Sequence, residues 1–437
     1  MAEAVVSEHQ ISLNSVRYPL VGRVVRGLSN KWPDKTVIGD YTKDSNPTIS
    51  TLALSDHRGG IGLDIMEGQG DTDRSWYSTC WIRSKGRLFL PLLRNAANTL
   101  HPASTTDASA LVGFKNKLYA YFNAQVDGIY EYTGTTWNST TAPRLAVTGV
   151  TDGLSGNIGG TFYIVYCDGS NYYYSTDGSA WTTDTANADY LAIWDDKLWG
   201  IDSTGQLWYA STIGTEVNDA KLVLEQASEV QGLLVGPDAT REPIIYVVTT
   251  SGLYAHDFDN GRFVPTNFKT TPIGTSSLTR ACVWRGKIYY ANTSSVYEYD
   301  PVNGTARAIG PEIDGGLPTN YAATVSALVA TSNELVAAYY DGVGTHYGIL
   351  LSWNGKSWQT LREEAAGEGP DALQFGAVAY NFLWYVHQTA SDATVRYFGL
   401  HLKANGILQS GLSYGTPGTH DWPWFTSDSS AQTKVAV

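Results

Sequence analysis

Asp195-Asp196, Glu363-Glu364 and Asp371 are the acids whose loop setting suits glycoside hydrolysis, which needs two carboxyl groups about 5–10 Å apart across a cleft. Their spacing singles out no pair. On a chain with 42 Asp+Glu against 29 Lys+Arg, net −13, such acids read as a solvated surface. The eight histidines, at positions 9, 57, 101, 256, 346, 387, 401 and 420, form no HxxxH or HExxH pattern, and no cysteine stands near one at zinc spacing. Gly70-Asp-Thr-Asp-Arg74 spaces two acids as a calcium loop does but lacks the remaining ligands. There is no GxSxG elbow and no glycine-rich run that follows a strand and opens a helix. The expectation is a non-enzymatic chain without cofactor or metal.

Charge and cysteine usage narrow the partners. Phosphate backbones are bound through clustered cations, and no run of Lys or Arg occurs, so nucleic acid is not expected. Cys80, Cys167 and Cys282 are odd in number and far apart, which supplies no disulfide framework and leans toward assembly in a reducing cytosol. Residues 1–20 lack a basic segment followed by an apolar one, and no stretch reaches the ~18 apolar residues of a membrane span. The mature protein is therefore expected to start near Met1, to be soluble and not to insert into a membrane.

The elements that must position any site follow from a repeat. With 44 Gly, 28 Tyr and 14 Trp in 437 residues, 43% apolar and 2 Met, the composition favours pleated, turn-rich structure over helices and leaves no room for general disorder. A polar turn followed by an apolar pair recurs at Leu118-Tyr119, Phe162-Tyr163, Leu198-Trp199, Ile245-Tyr246, Ile288-Tyr289, Leu335-Val336 and Leu383-Trp384, about every 44 residues. An aromatic precedes the turn at Phe114, Trp194, Trp284 and Tyr380, so each unit starts with a hairpin whose arms cover one another. Sixteen residues beyond the pair's first member stands a turn glycine at Gly134, Gly178, Gly261 and Gly304, preceded by Thr133, Asp177, Asn260 and Asn303. Asx-Gly between aromatic-rich runs is a strong hairpin signal, because both central residues must tolerate positive φ.

A repeated four-stranded unit of this length predicts an all-β chain forming a β-propeller, with seven blades and a range of six to eight. Two stacked β-sandwiches are the competing architecture. Leu88-Phe89 lies only 30 residues ahead of the first pair and reads as a part-blade whose strand completes the last blade. The chain then divides into a docking arm over residues 1–75, a propeller over 76–406 and a tail over 407–437 that closes the ring or contacts neighbours.

Ser175-Thr-Asp-Gly-Ser-Ala-Trp181 resembles the Asp-box of sialidase-type propellers, one residue shorter between Asp and Gly. Ser352-Trp-Asn-Gly-Lys-Ser-Trp358 repeats the form with Asn354, Gly355 and Trp358, and Tyr132–Trp137 is a weaker copy. The resemblance implies a structural role, with Asp177 or Asn354 capping backbone N–H groups and Trp181 or Trp358 lying over the sheet edge. A sialidase also needs an arginine triad, a Tyr–Glu pair and an Asp acid, and only Val16-Arg-Tyr-Pro19 bears on these, so that activity is set aside. Tyr and Trp can stack on sugars, but those at repeat positions read as packing between blades.

Ser55-Asp-His-Arg-Gly-Gly-Ile-Gly-Leu-Asp-Ile-Met66, Ser75–Arg83 and Gly86-Arg-Leu-Phe-Leu-Pro91 resemble the opening of β-propeller proteins encoded by tailed bacteriophages. The likeness covers residues 50–190 and thereafter the repeat alone. It departs from the Trp-Asp, Kelch and Tyr-Trp-Thr-Asp propeller classes. It implies a virion component of the tail, baseplate or adsorption apparatus, assembled in the host bacterial cytoplasm. Other virion proteins would be bound through residues 1–75 and the tail, and a host surface glycan or receptor through the propeller loops. A bacterial propeller that binds or cleaves glycans, and an intracellular scaffold for proteins, are the alternatives.

Overall fold

The structure, a computed structural model, describes residues 105–132, 137–138, 142–222, 230–269, 281–292, 295–311, 321–322, 324–375 and 382–399, with strands alone assigned at a few places outside them. Seven antiparallel sheets follow one another, each a meander in chain order. Blade 1 comprises Asp107–Phe114, Lys117–Asn123, Gly128–Tyr132 and Leu145–Ala146, and blade 2 comprises Asp152–Ile158, Thr161–Cys167, Tyr172–Ser175 and Thr182–Asp184. Blade 3 is Tyr190–Trp194, Lys197–Ile201, Gln206–Ala210 and Glu216–Lys221; blade 4 is Val230–Pro237, Pro243–Thr249, Gly252–Asp257 and Arg262–Lys269. Blade 5 is Ala281–Trp284, Lys287–Asn292, Ser295–Asp300 and Thr305–Ala308; blade 6 is Val325–Ala330, Leu335–Tyr339, Tyr347–Trp353 and Trp358–Ala366. Blade 7 holds Gly369–Phe375, Phe382–Gln388 and Ala393–Gly399.

First strands of successive blades pack side by side, and that of blade 7 returns to that of blade 1. The chain is a seven-bladed β-propeller. Its apolar residues fall into seven buried clusters, one per junction between blades, including the closing one where Trp384 and Val386 meet Leu118 and Phe122.

This geometry explains the repeated pair. All seven pairs lie in second strands, which have sheet on both edges and a neighbouring blade on both faces. Six pairs are buried there, whereas Phe162, near the start of its strand, is 40% exposed and stacks on Phe114. Successive side chains of a strand point to opposite faces. Leu118 therefore packs toward blade 7 and Tyr119 toward blade 2; Ile288 packs toward blade 4 and Tyr289 toward blade 6; Leu383 packs toward blade 6 and Trp384 toward blade 1. The preceding turns are two-residue hairpins with positive φ at Lys115 and Asn116, Asp195 and Asp196, and Arg285 and Gly286. Across them Phe114 meets Tyr119, Trp194 meets Trp199 and Trp284 meets Tyr289, at ring separations of 5.7–6.1 Å.

Leu88–Phe89 differs from its expected place. It pairs with Trp81–Ile82 as a short hairpin, and among the described residues Ala393–Gly399 has no outer neighbour. In the arm, Gln10–Leu13, Val16–Val21, Thr36–Ile38 and Leu52–Leu54 form a four-stranded antiparallel sheet, and Tyr77–Ser78 pairs with His420–Asp421 from the far end of the chain.

Candidate functional site

Every first strand starts, and every second strand ends, on the same face of the ring, so one set of connections gathers there. Asp107 and Asp152 open first strands, Asp371 is the third residue of one, and Asp189 and Glu368 lie in the connections just before first strands. Asp127, Asp168, Asp202, Asp341 and Asp392 lie between second and third strands. All ten are half-buried or exposed, and among the described residues these connections contain no Lys or Arg. Lys221 and Lys269 end outer strands at the rim. The opposite face mixes signs, with Lys115, Lys197, Arg241, Arg285 and Lys356 among Asp177, Asp195, Asp238 and Asp257. The propeller is thus polarised, with an acidic face on one side. Burial, together with Asp371, Asp341 and Asp107 nearby, pushes the Tyr340 phenol up.

Two features mark that face. Between blades 1 and 2 a cleft of about 570 Å³ is lined by Asp127, Asp168 and Tyr173, with Val126 and Val147 as its apolar part. The Tyr173 hydroxyl donates to Asp168 Oδ2 at 2.6 Å, while Ser170 N and Asn171 N donate to Oδ1 at 3.0 and 2.8 Å. Burial would raise the Asp168 carboxyl, but Tyr173 and these N–H groups outweigh it and hold it below the usual range.

Between blades 6 and 7 lies a buried polar cluster. Glu364 accepts from Arg362 Nε and from the Tyr385 hydroxyl, both at 2.8 Å, with His387 Nε2 3.5 Å and Arg396 Nη1 3.7 Å away. His387 also bonds Glu368 at 2.9 Å. Glu364, Glu368 and His387 offer ligand atoms within 4.8 Å of one another, the donor set of a metal site. Two guanidinium groups already meet the Glu364 charge, so this cluster fits a bolt between blades better than a cation. Burial opposes ionisation of Glu364, yet His387 and Arg362 prevail and hold it at about 2.

The residues singled out in sequence scatter over this frame. Glu363 and Glu364 serve opposite junctions: Glu363 accepts from Tyr321 at 2.5 Å, Glu364 from blade 7. Asp195 and Asp196 occupy a hairpin on the mixed-sign face, Asp371 the acidic face, so none of these acids faces another across a cleft. His346 and His387 bond Asp341 and Glu368, and His256 Nε2 lies 2.7 Å from Asp219, so each histidine meets a different acid. His9, His57, His101, His401 and the Gly70–Asp73 loop lie outside the described residues, as does Gly134.

The turn positions lie between third and fourth strands on the mixed-sign face. Asp177 Oδ1 accepts from Ser179 N and Ala180 N at 2.7 and 2.9 Å, and those bonds pull its carboxyl down to about 2. Asn354 Oδ1 accepts from Lys356 N and Ser357 N at 2.8 and 3.0 Å. Gly178, Gly261, Gly304 and Gly355 all have positive φ. Asn260 and Asn303 donate their amides to Asp257 and Asp300 at 2.8 and 2.9 Å. Trp181 packs on Tyr166, and Trp358 donates its indole N–H to the Ile309 carbonyl of blade 5.

Sequence reasoning missed the buried carboxylates of third strands. Glu131 is held by Lys117, Arg144 and Tyr119 at 2.8, 3.0 and 3.2 Å, and Glu298 by Lys287, Tyr289 and Arg307 at 2.7, 2.8 and 3.0 Å. The shared strings Lys-Leu/Ile-Tyr and Tyr-Glu-Tyr carry that signal. Burial would raise both carboxyls, but Lys117 with Arg144, and Lys287 with Arg307, outweigh it and leave them lowered.

No family model matches the chain, and no curated protein does. Solved structures similar to it include YCF48 bound to D1 peptide, at 16% identity and TM-score 0.46 over 71% of this chain and 99% of that one. The extracellular domain of the putative one component system BT4673 from B. thetaiotaomicron is 14% identical, TM-score 0.48, over 70% and 39%. BBS1N in complex with ARL6DN is 14% identical, TM-score 0.49, over 73% and 99%. At these values the likeness says nothing of function.

Proposed function

We propose that the chain is a non-enzymatic structural component of a tailed-phage particle, a rigid ring that docks partner proteins by its acidic face. The observation that carries the docking reading is the charge polarity of the ring: seven carboxylates in the connections of one face and three near the starts of its first strands, with no Lys or Arg in those connections among the described residues. Uniform charge steers and orients an oppositely charged partner more than it adds affinity. Assignment to a particle rests on the resemblance at residues 55–91. The buried acids Glu131, Glu298 and Glu364 support a scaffold, since each is spent on neighbours within its blade or junction.

Mass spectrometry of gradient-purified particles from cells carrying the gene tests this. The chain should co-sediment at fixed stoichiometry with tail or baseplate proteins. Its absence from particles, or turnover of bacterial surface glycans by the purified chain, would overturn the reading.

A further inference from the structure

We propose that the cleft between blades 1 and 2 is a binding site for a cationic side chain, an arginine or lysine presented by a partner polypeptide. This rests on the docking reading above and gives it a place and a chemistry. Two carboxylates, Asp127 and Asp168, line the cleft, and no Lys or Arg does. Asp127 Oδ1 takes one bond, from Ala124 N at 3.1 Å, and among the described residues no donor reaches its Oδ2. A carboxylate offers about four acceptor positions, so Asp127 keeps most of its capacity.

Asp168 is fixed by three donors, which hold its charge in place and leave little for a metal ion that demands six to eight oxygens. A long cationic side chain suits three of the groups that line the cleft. Its stem covers Val126, which is 39% exposed, its charge meets Asp127, and a guanidinium plane can lie on the half-buried Tyr173 ring. A volume of about 570 Å³ has room for such a side chain with its backbone.

The test is fluorescence anisotropy of the full chain with a fluorescein-labelled oligo-arginine peptide at about 0.15 M salt, where surface charges beyond ~8 Å are screened. Asp127→Asn keeps the shape and removes the charge. Thr148→Lys, at an exposed position on the rim, fills the cleft with a built-in cation. Each should weaken binding about tenfold or more, the loss of one charge-assisted contact. Asp195→Asn, on the opposite face, should stay within about twofold, which separates the cleft from the general attraction of a chain with net charge −13. No binding by the wild type, equal effects of Asp127→Asn and Asp195→Asn, or capture of neutral oligosaccharide in place of the peptide would each overturn the proposal. Failure here leaves the particle assignment standing, since that is read from the composition of particles.

Discussion

The hydroxyl of Tyr385, on the second strand of blade 7, donates to Oε1 of Glu364, on the outer strand of blade 6, at 2.8 Å. The bond crosses a junction that also holds an apolar cluster with Leu361, Leu383 and Val336. It brings a charge into the interior that must be met on all sides, by Arg362, His387 and Arg396.

Removing that charge should cost more than removing its neutral partner. Glu364→Ala strands Arg362 and Arg396 and should lose about 3–5 kcal/mol, as breaking a buried ion pair does. Tyr385→Phe deletes one bond to a charged group and should lose about 1.5–3 kcal/mol. Urea unfolding midpoints of the two variants decide it. Equal losses would mean that the guanidinium groups find other partners.

Glu363 and Glu364 should give opposite pH dependences. Burial, with Glu364 beside it, raises Glu363 to about 7. A raised carboxyl stabilises fully below the unfolded value near 4.5 and loses that contribution as pH rises through about 7. Glu364, held at about 2, contributes fully above 4.5 and loses it as pH falls toward about 2. Stability from this pair therefore peaks near about pH 4.5–5. Glu363→Gln should abolish the decline between about pH 5 and 8, read as the urea midpoint at each pH. A decline that persists unchanged in the variant would assign it to other groups.

Gly178 carries φ +77°, and a Cβ there meets the hydroxyl of Tyr119 on blade 1. Gly178→Ala should lose about 1–2 kcal/mol from the left-handed backbone alone, and more as Tyr119 is pushed from Glu131. In a Tyr119→Phe background the same substitution should cost less, because the clashing oxygen is gone. Thermal melts of the four proteins complete the cycle; strictly additive losses would show that the Tyr119 hydroxyl carries none of the clash.

Six of the seven pairs were legible because a second strand buried on both faces needs two apolar neighbours in succession; Phe162-Tyr163 keeps the spacing with Phe162 exposed. The turn glycines were legible because Gly178, Gly261, Gly304 and Gly355 meet a backbone demand that few residues satisfy. The acidic face was not. Its carboxylates occur singly between Asp107 and Asp392, and only the ring places them together. The partners of Glu364 were hidden likewise, since no fixed spacing links Arg362, Tyr385, His387 and Arg396 from blade to blade. Leu88 misled because an apolar pair after a basic turn has the local look of a second strand, while its pairing among the described residues is with Trp81–Ile82.

The closing junction has a consequence for how the ring forms. Gln388 donates to the Thr106 carbonyl at 2.7 Å across 282 positions of chain, whereas Tyr290 and Thr249 bridge blades 5 and 4 across 41. Loop closure costs grow as (3/2)RT ln n, so this seam is about 1.7 kcal/mol dearer in chain entropy than a junction between consecutive blades. Six junctions can assemble in order as the polypeptide emerges, each on the blade before it. The seventh waits for the last blade, so hydrogen exchange during refolding should protect Tyr385 and Val386 amides after those of blades 2 to 5. Until then the first and last blades each present an uncovered apolar face, and the half-made ring is the species most exposed to aggregation or to chaperones.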